Sequence, residues 1–116
     1  MNHSHQNATP GRIVSALLAD DPEMLDLVEE FVNGLTNRAD NFRQAHQRLD
    51  WDRLTALAHQ LKGAGGSYGY PDLSTLGATM ESSFRIHSAE QFASWMEQLE
   101  SLSAAARAGL PSSPPD

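Results

Sequence analysis

The 116-residue chain contains no cysteine, which removes disulfides, thiolate chemistry and cysteine-based zinc sites together. It has no apolar run approaching the roughly 18–20 residues that a membrane span needs. Its opening segment, MNHSHQNATPG, lacks the apolar stretch of a secretory signal. A cytoplasmic protein with no membrane partner is therefore expected. Positive charge is also scarce: 8 Lys and Arg stand against 15 Asp and Glu, a formal net charge of −7. Such a surface repels a phosphodiester backbone, so nucleic acid is not an expected partner. No Gly-x-x-x-x-Gly-Lys loop or other nucleotide-binding signature is present, which argues against kinase activity of the chain's own. No segment alternates in the manner of a strand, and no internal repeat is evident.

What the chain does have is helical periodicity. Residues 1–10 and 111–116 are polar or proline-rich and are expected to be disordered tails around one domain at 11–110. Ile13, Val14, Leu17 and Leu18 predict a short first helix that ends near Asp20-Asp21-Pro22. Val28, Val32, Leu35, Ala39, Phe42, Ala45 and Leu49 recur at three- and four-residue spacing, which predicts one long helix over about 22–48. Leu54, Leu57, Ala58, Leu61, Gly65 and Tyr68 give a second stripe, closed by Gly69 and followed by Pro71. Leu73, Leu76, Met80 and Phe84 give a third. Phe92, Trp95, Met96, Leu99 and Leu102 give a fourth, with Ser88 as the expected N-cap. The predicted fold is all-α: an antiparallel up-down four-helix bundle with a short additional N-terminal helix.

The second of these helices carries the informative residue. On a helical wheel with Leu61 at zero, the apolar residues cluster within roughly 60°, whereas His59 falls at roughly 160°. His59 therefore points away from the core. Its neighbours on that outer face are Ala56, Gly63 and Gly66, with Thr55 and Lys62 at the shoulder. Glycine within a helix costs about 1 kcal/mol relative to alanine. Gly65 lies on the core side, where it can admit a neighbouring helix. Gly63 and Gly66 face outward, where clearance for another protein's backbone supplies a reason for them.

Lys62, one turn beyond His59, can pair with an anion carried on the ring, although an ordinary solvated lysine is the plainer account of it alone. On the third helix, Glu81 and Arg85 sit at the edge of the apolar stripe beside small Ser74, Gly77 and Ala78. Their i, i+4 spacing makes a helix-stabilising ion pair the plain reading. The functional one places the Glu81 carboxylate on Nδ1–H of His59, which leaves Nε2 as nucleophile, with Arg85 adding positive charge nearby.

The stretch AHQLKGAGGSYGYPDLSTLGATMESSFR, Ala58 to Arg85, resembles the histidine-containing phosphotransfer (HPt) domains of two-component phosphorelays. The likeness rests on His59-x-Leu61-Lys62-Gly63, on Gly69, and on Leu73, Leu76, Met80-Glu81 and Arg85. It implies that His59 takes phosphate from a receiver-domain aspartate and passes it to another receiver. The partners implied are receivers of response regulators or hybrid histidine kinases, and Mg²⁺ is expected only in the receiver. By the same resemblance Lys62 contacts the phosphoryl oxygens, Gly63 gives the receiver clearance and Glu81 orients the ring. Thr55, Gly66 and Arg85 complete the expected partner-binding face. Glutamine fills the position of Glu81 in several family members. Tyr70 stands where a small residue is more usual, and it is expected to narrow the set of receivers that dock.

Two rival readings differ in kind. A di-metal carboxylate bundle is built on inward Glu-x-x-His pairs, and no such pair occurs in the sequence. His46 and His87 have no ligand partners at productive spacing, and His3 and His5 belong to the tail. No metal site and no bound cofactor are expected. The other rival is a helical module that binds partners without chemistry, which leaves the combination of His59, Lys62, Gly63 and Glu81 without a purpose. Because one bundle consumes all the apolar stripes, a monomer is expected. Trp51 is expected to be a half-buried anchor near the helix junction that can touch the partner.

Overall fold

In the computed structural model, which describes residues 11–111, every regular element is helical. The elements are α1 (Ala16–Asp20), a 3-10 turn (Pro22–Met24), α2 (Leu25–Asn33), α3 (Leu35–Gln47), α4 (Trp51–Ser67), α5 (Pro71–Arg85) and α6 (Phe92–Ala108). The tails expected at 1–10 and 111–116 lie outside the described residues except for residue 111. The apolar stripes read from the sequence face one another. Val28, Val32, Leu35, Leu54, Leu73 and Leu99 are all fully buried in a single cluster. α3 packs on α4 and α6, and α5 packs on the same two helices.

The long helix expected over 22–48 is interrupted at Gly34. The Gly34 N–H donates to both Glu30 O and Phe31 O at 3.1 Å, and Arg38 N–H donates to Gly34 O to resume the ladder. A single residue of the poorest non-proline helix former thus separates α2 from α3. The first helix is also shorter than expected. Ile13 donates its N–H to Ala105 O at 3.0 Å and runs along α6, Val14 is exposed, and Ser15 caps α1 by accepting from Leu18 N–H.

Three helices end alike, with a residue in the left-handed region and paired backbone bonds that close the last turn. In α4, Tyr70 N–H donates to Gly65 O and Gly69 N–H to Gly66 O, with Gly69 at φ +86°. In α3, Asp50 N–H donates to Ala45 O and Leu49 N–H to His46 O, with Leu49 at φ 50°. In α5, Ser88 N–H donates to Ser83 O and His87 N–H to Phe84 O, with His87 at φ 58°. Only the first of these uses glycine. A side chain in this region costs on the order of 1–2 kcal/mol, so Leu49 and His87 are held at a local expense. Two expectations fail here for the same reason. Leu49 belongs to a helix cap and is exposed rather than part of the buried stripe. Ser88 closes α5 instead of capping α6, whose N-cap is Gln91.

The site is positioned by the crossing of α4 and α5, the most extensive helix pair in the molecule. A Cβ on Gly65 would lie 2.7 Å from Ser74 N, and one on Gly77 would lie 2.5 Å from Lys62 N. Neither position admits a side chain without moving backbone. The two helices therefore meet main chain to main chain, and Glu81 follows Gly77 by one turn on the same flank.

Candidate functional site

α4 starts cleanly because Asp50 accepts from Arg53 N–H at 3.1 Å. From that start, Leu54, Leu57, Ala58 and Leu61 turn inward, and the same register turns His59 out, with 65% of its side chain accessible. Glu81 on α5 lies opposite and is nearly enclosed, its side chain 6% accessible. The carboxylate accepts three hydrogen bonds. Oε2 takes His59 Nδ1–H at 3.0 Å and Arg85 Nη2 at 2.7 Å, and Oε1 takes Lys62 Nζ at 2.8 Å.

These partners fix the charge of the group they surround. The hydrogen bond from Lys62 is the main cause that holds the Glu81 carboxyl at about 2, below its ordinary 4.5. The hydrogen bond from His59 and the charges of Lys62 and Arg85 act in the same direction, and burial opposes them. Glu81 is therefore ionised and can only accept. The neutral imidazole must then carry its proton on Nδ1, and Nε2 keeps a free lone pair that faces solvent. With Lys62 and Arg85 positive and Glu81 negative, these three side chains together carry one net positive charge.

The outward glycines are free of fold constraints. A Cβ on Gly63 would meet nothing within 4 Å, and one on Gly66 would make only ordinary contact with Ser74 Oγ at 3.6 Å. Gly65 is a spacer against α5, as its core-side position predicts. Thr55 lies on the same flank as His59, but its Oγ1–H is spent on Trp51 O at 2.8 Å. Lys62 reaches Glu81 rather than standing free, so it holds the ring's partner carboxylate. Arg85 makes the i, i+4 ion pair that its spacing foretold.

Tyr70 departs from expectation. It is 2% exposed, and its ring lies 6.1 Å from that of Phe31, stacked in the core. Burial pushes its phenol pKa upward. A docking protein cannot touch it, so it does not select receivers by contact.

Sequence reasoning did not find the groove beside His59. It has a volume of about 440 Å³ and runs from His59 along Thr55, Ala56 and Asp52 to Trp51, with Glu81, Phe84, Arg85 and His87 on the other wall. Trp51 stacks flat on His87, ring centroids 5.1 Å apart and planes 5° from parallel. The only signal for this in the sequence was Trp51 itself, expected to be half-buried and found so. Among the described residues, no group of three or more His, Asp or Glu side chains converges to hold a metal ion.

Neither a curated protein nor a solved structure matches this chain. The family model of the Hpt domain matches residues 26–109, a span that takes in His59, Lys62, Gly63, Glu81 and Arg85, and the chain belongs to the Hpt domain family.

Proposed function

We propose that His59 is the residue that carries the phosphoryl group, accepting it from the aspartyl phosphate of one receiver domain and passing it to the aspartate of another. As an Hpt domain the protein has a phosphotransfer role in two-component signalling and interacts with receiver domains. In the proposed step the Nε2 lone pair attacks phosphorus and the acyl-phosphate P–O bond breaks. The aspartate departs as carboxylate, and the Nδ1 proton stays on its hydrogen bond to Glu81. Positive charge that develops on the ring as the N–P bond forms lies against the Glu81 carboxylate. Lys62 stands one turn from the ring and supplies cationic charge toward the phosphoryl oxygens, with Arg85 beside it. Gly63 and Gly66 let the receiver's backbone approach.

The observation that carries this reading is the 3.0 Å hydrogen bond between His59 Nδ1 and the enclosed Glu81 carboxylate, made by an imidazole side chain that is 65% accessible. In this reading the chain is a phosphocarrier and not a kinase, binds no cofactor, and uses the Mg²⁺ of its partner. The elements α2 with α3, α4, α5 and α6 form an antiparallel up-down bundle in which the protein acts as a cytoplasmic monomer. Among the described residues no helix is long and apolar enough to cross a membrane.

The test is His59→Gln, assayed against isolated receiver domains charged with acetyl phosphate and Mg²⁺. Wild type is expected to acquire acid-labile, base-stable phosphate, and the variant none. Equal labelling of the variant would overturn the assignment.

A further inference from the structure

The two non-glycine left-handed residues lie at one end of the molecule. Leu49 precedes α4 by two residues, and His87, two residues beyond α5, stacks on Trp51, the first residue of α4. Two large apolar side chains stand out to solvent beside them: Leu49 is 59% exposed and Ile86, the cap residue of α5, is 77% exposed. The third helix end of the same type, at Gly69, uses glycine and shows no such side chain. Nothing in the fold accounts for Leu49. It belongs to no buried cluster, and glycine would close α3 without the conformational cost. His87 at least stacks on Trp51.

This end is continuous with the phosphotransfer site. The groove lined by Trp51 and Phe84 opens directly onto His59. Trp51 precedes His59 by eight residues, about 12 Å along the helix axis, and lies on the same flank of the wheel. A standard interface covers about 800 Å² per partner, a disc of about 16 Å radius. A receiver centred on His59 therefore reaches Trp51 and the two caps beyond it.

Resting on the proposal that His59 exchanges phosphate with receivers, we infer that the receiver footprint is anchored at this end. An apolar side chain of the receiver occupies the end of the groove formed by Trp51 and Phe84, away from the charged groups at His59, while Leu49 and Ile86 form the apolar rim. Gly63 and Gly66, on the other side of His59, take the receiver's backbone. Tryptophan is enriched among the side chains that dominate binding energy at interfaces, and a left-handed leucine kept exposed is a local cost that an interface explains.

The test uses the full chain and those receivers that phosphorylate it. Leu49→Gly relieves the backbone, so its Tm is expected to be no lower than that of wild type, and Leu49→Asn gives the same relief without added chain entropy. Both are expected to weaken receiver affinity about 5- to 10-fold, and Trp51→Ala about 10- to 30-fold, in titrations of the isolated receiver with Mg²⁺. In wild type, docking is expected to shift the emission of half-buried Trp51. Leu49→Gly and Leu49→Asn that fold and bind within twofold of wild type would overturn the inference, as would Trp51→Ala with unchanged affinity. If no receiver phosphorylates wild type at all, the proposed function itself fails. A wild type that accepts phosphate beside unaffected variants overturns only the anchoring.

Discussion

Glu81 reaches His59 across the α4–α5 crossing and holds Nδ1 at 3.0 Å, from a position where its side chain is 6% accessible and the imidazole is 65% accessible. An enclosed carboxylate that grips an exposed ring produces an asymmetric histidine. One nitrogen is committed to the protein and the other is offered to solvent. Removing the grip is expected to slow phosphorylation of His59. At metal sites, loss of a group that orients a ligating imidazole typically costs 10–100-fold, and Glu81→Ala is expected to fall in the same range. Glu81→Gln keeps an acceptor for Nδ1–H and is expected to lose less. Single-turnover phosphotransfer rates distinguish the two.

The same carboxylate predicts an acid limb of stability. Glu81 titrates near 2 in the folded protein against 4.5 ordinarily. Its contribution is therefore complete above pH 4.5 and is lost as the pH falls from there toward 2. In Glu81→Gln that dependence is absent. Thermal unfolding between pH 6 and pH 2.5 is expected to show the Tm of wild type falling faster than that of the variant below pH 4.5, with a constant difference between there and pH 6.

Lys62 is the main cause of the depressed pKa. Lys62→Met removes both its hydrogen bond and its charge and leaves His59 and Arg85 in place. The Glu81 titration is expected to move upward toward the ordinary carboxylate range, as read from the carboxyl carbon by NMR. An unmoved titration would mean that Lys62 does not hold Glu81 in solution.

The approach of α4 to α5 that makes these contacts possible rests on Gly77. A methyl group there would meet Lys62 N at 2.5 Å and Ala58 O at 2.9 Å, atoms of a helix backbone that cannot yield alone. Overpacking of this kind costs about 1–3 kcal/mol. Gly77→Ala is expected to lower stability by that amount in chemical denaturation. It is also expected to slow phosphotransfer as strongly as Glu81→Ala, because separating the helices pulls the carboxylate off the ring.

Periodicity made much of this legible. The outward register of His59 follows from the inward register of Leu54, Leu57, Ala58 and Leu61, and the reach of Glu81 follows from its place at the edge of the α5 stripe. What stayed hidden depended on backbone geometry rather than on pattern. The interruption at Gly34 is a single residue inside an unbroken apolar stripe. Leu49 and His87 adopt a conformation that sequence rules assign to glycine or asparagine, so their place as caps was not legible, although the helix end expected near 48 falls at Gln47. Nothing in the pattern around Tyr70 tells a docking residue from a buried one, and the ring fits into the core against Phe31. The groove joins residues from α4, α5 and the turn after α5, which no single stripe connects.

Gly63 offers the cleanest separation of fold from function. No atom lies within 4 Å of where its Cβ would stand, so alanine is accommodated and improves helix propensity by up to about 1 kcal/mol. Gly63→Ala is expected to raise the denaturation midpoint. Yet the methyl group would project from the face that the receiver's backbone must approach, one turn from His59. Phosphotransfer from the receiver is therefore expected to slow, while labelling of His59 by a small donor such as phosphoramidate stays unchanged. A variant that is stabler and equally fast with both donors would show that the glycine provides no clearance, and that the receiver docks without pressing on this turn.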